Sequence, residues 1–224
     1  MNKIKTILLL LVFMTNTALT AESAGIIRKP IAGDNSIVFT DNRESALYTI
    51  RDGDIQVLAE GRGIGYHINI SPISGKIGSK LILDNGLQVP VLIYSDGDKM
   101  DYLHQPVHQA GQVSFTDKGI AAWTIGSFLH LSDGRSVQLP AYANIAPVSP
   151  CGDYVVSNDR EDQLWLTHIN TGEQKRISPV LKPGFFNPEW SPGGNHILFS
   201  SLAGVLYVYS LENGTTKELT DVYF

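Results

Sequence analysis

The 224-residue chain has one cysteine, Cys151, so no disulfide can form within it. Beyond the N-terminus it lacks a long apolar run, and no dozen-residue stretch there carries helical periodicity. It has no excess of basic residues: the formal charge is −5, and this argues against nucleic acid or an anionic membrane surface as a partner. There is no Gly-x-Ser-x-Gly nucleophile elbow. Gly61, Gly63 and Gly65 lack the last spacing of a dinucleotide fingerprint and read as a flexible connection. His104 and His108 stand four apart, but Pro106 between them excludes the helix on which that spacing would hold a metal. Asp96, Asp98 and Asp101 miss the glycine and terminal glutamate of a calcium loop, and a solvated turn explains them. No metal site and no cofactor is expected.

What the chain does have is a repeated turn. Asp52-Gly53, Asp96-Gly97, Asp133-Gly134, Thr171-Gly172 and Asn213-Gly214 each follow a short run of aromatic and branched residues. Their glycines step by 44, 37, 38 and 42 residues. Glycine supplies the positive φ of a tight hairpin, and Asp or Asn tolerates it next best. A period near forty with several short strands per unit marks a propeller-type array. The first half of each unit repeats as well. Ser149-Pro150-Cys151-Gly152-Asp153-Tyr154 aligns with Ser191-Pro192-Gly193-Gly194-Asn195-His196, with weaker copies at Ser114 to Ala122, at Ser71-Pro72 and at Ile31 to Phe39. Cys151 reads as a small turn residue.

Glu189-Trp190-Ser191-Pro192-Gly193-Gly194-Asn195-His196-Ile197-Leu198-Phe199, followed by Leu206-Tyr207-Val208-Tyr209 and Lys217-Glu218-Leu219-Thr220, resembles the repeat of TolB-like β-propellers. The resemblance is strong in the last unit, good in the fourth and fragmentary in the first three. It implies a propeller with a binding face and does not imply an enzyme. The expected fold is an all-β propeller of five four-stranded blades, at about 25–60, 61–104, 105–140, 141–179 and 180–224, with six blades or an open ring as the alternative. Ring closure would rest on Ile26 and Ile27 packing against Leu219 and Val222.

Lys3 and Lys5 precede the apolar stretch Ile7 to Met14, and small residues follow near Ala18 and Ala21. This reads as a secretory signal peptide cut after Ala21, with an uncleaved anchor as the second reading. The mature chain 22–224 would be one propeller domain in the periplasm or otherwise exported, without a membrane span. It would carry a charge of −7 once Lys3 and Lys5 are gone.

The inner strands are read as Gly25 to Ile31, Tyr66 to Ile70, Gln109 to Val113, Asn144 to Val148 and Phe186 to Trp190. Their lone carboxylate is Glu189, which argues against the paired carboxylates of sugar hydrolysis. Trp123, Trp165, Trp190, Tyr207 and Tyr209 read as packing between blades. One duplication points to recognition. Asp41-Asn42-Arg43-Glu44-Ser45 in the first unit matches Asn158-Asp159-Arg160-Glu161-Asp162 in the fourth, and both link the second strand to the third. That end of the propeller also carries the connections between blades. The candidate binding set is therefore Asp41, Arg43, Glu44, Tyr66, His67, Asp159, Arg160, Glu161, Phe186 and Asn187, with His108, Tyr142 and Phe185 nearby. The plainer reading is that these Arg-Glu pairs tie each loop to its own blade. The expected function is a binding module for a protein or cell-envelope component. A polysaccharide lyase or hydrolase and a purely structural ring are the competing readings. If the leader is removed, N-terminal sequencing of native material yields a chain starting at or near Glu22; a chain retaining Met1 in the membrane fraction would support the anchor.

Overall fold

A computed structural model describes residues 28–32, 37–97, 99–180 and 184–219. The described residues form nineteen strands and no helix. The first sheet contains β1 (Arg28–Ala32), β2 (Ile37–Thr40), β3 (Ala46–Arg51) and β4 (Asp54–Glu60). The second has β5 (Asn69–Ile70), β6 (Ile77–Ile82), β7 (Gln88–Ile93) and β8 (Met100–Tyr102). The third has β9 (Ser114–Phe115), β10 (Ala121–Ile125), β11 (Phe128–Leu131) and β12 (Ser136–Gln138). The fourth has β13 (Tyr154–Asn158), β14 (Leu164–His168) and β15 (Gln174–Arg176), and the fifth β16 (Phe185–Trp190), β17 (His196–Ser201), β18 (Leu206–Ser210) and β19 (Thr215–Leu219). Each sheet is an antiparallel meander in chain order, the blade of a β-propeller.

The five hairpin glycines, Gly53, Gly97, Gly134, Gly172 and Gly214, all have positive φ, between 62° and 94°. A second turn recurs with one hydrogen-bond scheme. Gly119, Gly152 and Gly194 donate N–H to the carbonyls of Thr116, Ser149 and Ser191, three residues back. The side-chain oxygens of those same residues accept from Ile120 N, Tyr154 N and His196 N. The repeated Ser-Pro motif is thus a side-chain-capped turn between first and second strands.

Four apolar clusters fill the four seams between consecutive blades. Val38, Leu47 and Leu58 pack on Ile77, Val89 and Val91 at the first seam. Val113 and Trp123 meet Leu92 and Leu103 at the second. Leu129, Leu131 and Val137 meet Val148 and Val155 at the third. At the fourth, Val156 and Leu166 meet Phe185, Phe199 and Tyr207, whose rings lie 5.5–5.7 Å apart. Of the five aromatics expected between blades, Trp123, Tyr207 and Tyr209 are buried and Trp190 packs half-buried against the fourth seam, while half-buried Trp165 joins none of the seam clusters and bonds Asp159 of its own blade. The far faces of the end blades differ. Leu198 occupies in the fifth blade the position that Val156 has in the fourth, yet it is 42% exposed against 0%. Ile37 and Val57 on the first blade are also exposed. The described residues of the two end blades do not cover each other there, as in the open-ring alternative. Of the expected closure residues, Ile26, Ile27 and Val222 lie outside the described residues.

The inner strands depart from expectation. Blade four was expected to hold four strands, but its first is a single bridge, Val148 to Val155. Pro147 and Pro150 flank it and have no N–H to give a ladder. In the third blade Gln109 to Gly111 pair with β10 through the Ala110–Ile125 bridge, Gln112 N turns aside to Asn144 O in the next blade, and pairing resumes at Ser114–Phe115. Tyr66 N closes a turn onto Gly63 O, and pairing in the second blade starts at Asn69.

Lys80 is a buried cation in the second blade, 6% exposed. Its Nζ donates to Gln88 Oε1 (3.1 Å), Ala110 O (2.9 Å) and Asn144 Oδ1 (2.5 Å), which joins blades two and four. Burial lowers its pKa from 10.5 to about 8. Between those values the unfolded chain holds the proton that the folded chain has lost, so stability rises with pH. Denaturant titrations from pH 8 to 10.5 should therefore show wild type gaining on Lys80→Met, by at most about 3 kcal/mol. A constant difference across that range would show that the amine titrates normally.

Candidate functional site

The four-residue spacing from each capped turn back into its inner strand organises the centre of the molecule. Two residues before Ser71, Thr116, Ser149 and Ser191 stand Asn69, Ser114, Pro147 and Glu189. Four residues before the first three stand His67, Gln112 and Ile145. With a strand period of two, both tiers face the same way. All seven line one cavity of about 40 Å³ on the propeller axis, completed by Val113, Ala146 and Pro188. That space holds roughly three waters at about 10–15 Å³ each. Asn187 would belong to the second tier, but a register shift between Phe186 and Glu189 intervenes. With φ at 54° it is turned out and exposed.

Hydrogen bonds across the seams set this wall. Asn69 Nδ2 donates to Val113 O (2.8 Å), Ser114 Oγ to Ala146 O (3.3 Å) and Trp190 Nε1 to Pro147 O (3.0 Å). Gln112 is 3% exposed, and neither its Nε2 nor its Oε1 has a hydrogen-bond partner. Glu189 is exposed at the cavity wall, yet the protein packed around its carboxyl pushes its pKa upward. Among the described residues it is the one carboxylate in the lining, and no described lysine or arginine lines the wall. No group of three or more potential metal ligands exists among the described residues.

The duplicated loops take the same conformation. They align one residue out of step with the sequence match: Asp41 stands opposite Asp159 and Glu44, with φ of 55°, opposite Asp162, at 56°, so Arg43 is matched by Glu161 and not by Arg160. Asp41 accepts from Ser45 N (2.9 Å) and Ser45 Oγ (3.0 Å). Asp159 accepts from Glu161 N and Gln163 N (both 2.9 Å) and from Trp165 Nε1 (2.7 Å). Both aspartates thus hold their own loops. Each loop also touches the connection into the next inner strand: Gly65 N bonds Glu44 O, and Phe185 N bonds Asp162 O. Gly65 packs so closely against Thr40 and Glu44 Cα that a side chain there would collide. Arg43, Arg160 and Glu161 are exposed, and Tyr66 is 45% exposed. Phe186 is half-buried on β16. Of the candidate set, His67 alone reaches the axial cavity.

Sequence reasoning missed Gln112 and Lys80. The inner strands were searched for carboxylates, so a buried amide passed unnoticed. Its distance from Thr116, equal to that of His67 from Ser71, was the signal available.

No protein-family model matches the sequence, and no curated protein does. Solved structures do resemble it. TolB from Acinetobacter baumannii superposes with a TM-score of 0.62 at 16% identity, over 87% of this chain and 54% of TolB. YCF48 bound to D1 peptide gives 0.62 at 13% identity, over 92% and 71%. The β-propeller domain of Cps50 (Swd1) from Myceliophteria thermophila gives 0.54 at 15%, over 72% and 57%. The chain thus has the TolB-like β-propeller fold and spans little more than half the length of the TolB and Swd1 chains.

Asp159→Ala removes three hydrogen bonds from a half-buried loop and should lower stability by about 1–3 kcal/mol. Arg160→Ala should leave it within about 0.5 kcal/mol. Thermal unfolding of the two variants checks this; equal losses would make Arg160 part of the loop's internal structure.

Proposed function

We propose that the chain is an exported, non-catalytic binding module that takes a protein or cell-envelope component at the end bearing the β2–β3 and β13–β14 loops. The observation that carries this is the duplicated loop. The aspartates at its base, Asp41 and Asp159, are spent on internal bonds, while Arg43 on the first-blade loop, Arg160 and Glu161 on the fourth-blade loop, and Tyr66 are exposed. A rigid scaffold presenting exposed Arg and Tyr is the usual setting for binding residues. Glu44, His67, Phe186 and Asn187 complete the surface around the axial cavity. A propeller of similar fold, YCF48, holds a peptide. Polysaccharide cleavage by paired carboxylates finds a single carboxylate in the cavity wall, Glu189. The N-terminal leader supports export.

The test is affinity capture from envelope extract with residues 22–224 as bait, followed by binding measurements on the captured partner. Arg43→Ala and Arg160→Ala, made separately, should each weaken binding by about 1–2 kcal/mol, roughly five- to thirty-fold, with unfolding nearly unchanged. Early melting with normal binding by the folded fraction would assign the arginines to loop structure and move the interaction to the opposite end, around the Ser-Pro turns.

A further inference from the structure

The axial cavity combines three features that the loop surface does not use. Its wall holds a buried carboxamide, Gln112, with both polar atoms unpartnered. Among the described residues it holds one carboxylate, Glu189, and no lysine or arginine. The rest is largely apolar: Val113, Ile145, Ala146, Pro147 and Pro188. A buried amide without partners is uncommon in folded proteins and signals a missing group. A carboxylate in partly dehydrated surroundings favours a cation beside it. Apolar walls favour methylenes.

We propose that this cavity is a subsite for a primary ammonium group, with Glu189 as counter-ion and Gln112 Oε1 as a second acceptor. An ammonium has three donors and no acceptor, which suits two acceptors in one wall. Its head is close to a water in size, so it fits a space of about 40 Å³ where a planar guanidinium with five donors is poorly matched. A lysine stem would lie along the proline, valine and isoleucine wall, as lysine stems do on apolar surface. The inference deepens the binding-module reading and rests on it for the source of the amine, a lysine side chain or a chain terminus of the partner. His67, which lies both in the cavity wall and among the candidate recognition residues, links the two surfaces.

The experiment uses the folded chain and small probes, so it needs no partner. Side-chain and backbone amide signals are followed by NMR during titration with n-butylammonium, and separately with neutral 1-butanol. The expected result is saturable movement of the Gln112 side-chain amide with butylammonium, at an affinity about tenfold or more above that of butanol. Glu189→Gln, at an exposed position, should abolish the preference while the spectrum stays folded. Gln112→Leu should weaken butylammonium binding too. Movement with Nα-acetyl-lysine methylamide assigns the amine to a side chain, and movement with glycine methylamide alone assigns it to a terminus; both support the subsite. Equal binding of butanol, a preference unchanged in Glu189→Gln, or no shift at Gln112 up to about 100 mM butylammonium would overturn it and leave a water-filled void. Probe binding without any captured partner would count against the binding-module reading alone. Capture without probe binding would count against the subsite alone.

Discussion

The inner strands of the three middle blades are too short to satisfy their own backbone, and the centre of the molecule is arranged around that fact. β5 and β9 have two residues each, and the fourth blade has one bridge in their place. Their carbonyls sit at the axis, where an unpaired polar group is costly. Side chains from neighbouring blades add donors there: Asn69 to Val113 O, Ser114 to Ala146 O, Trp190 to Pro147 O, which Val156 N also reaches, and Asn158 to Phe185 O. Blade order, blade spacing and the polarity of the axial wall follow from these contacts. Asn69 and Ser114 both bridge a seam and line the cavity, so scaffold and site share atoms.

This requirement also explains where polar residues are buried. Thr124 Oγ1 caps Ala143 O, Ser79 Oγ caps Ile64 O, and Lys80 ends against acceptors 30 and 64 residues away in sequence. Gly111 is held to glycine because Thr124 Oγ1 and the Ala143 carbonyl occupy the space a methyl would take. Apolar burial fills the seams, and the side-chain caps fix which blade lies beside which. Thr49, Trp123, Ser157, Thr167 and Arg176 each keep one buried side-chain polar atom without a partner, and Gln112 keeps both of its own; of these residues Gln112 is the one that lines the axial cavity.

The local chemistry of the fold was legible in the sequence. Asp-Gly and Asn-Gly hairpins and Ser-Pro-x-Gly turns need specific residues at fixed offsets, so five units could be counted and bounded. The inner strands were harder, because part of their pairing lies in other blades. Gln109 to Val113 looks like a strand, and Gln109 to Gly111 do pair with β10 of their own blade, yet Gln112 N bonds Asn144 O in the next. Lys80 in Ile77–Ile82 reads as a solvent-facing position by alternation, and its burial depends on residues far along the chain. At the site, Glu189 stood out as the inner-strand carboxylate and His67 as an inter-blade residue. An aspartate that closes its own loop, as Asp41 and Asp159 do, looks in sequence like one offered to a partner.

The central claim is that the inner strands are held side by side by these cross-seam side-chain bonds. A NOESY spectrum of the isotope-labelled chain tests it directly. The account predicts cross-peaks from the Asn69 side-chain amide to Val113 and Ser114, from the Trp190 indole N–H to Pro147, and from the Asn158 side-chain amide to Phe185 and Phe186. Hairpin contacts within every blade alongside the absence of all three inter-blade sets would contradict it, leaving five meanders without the axis they are said to share.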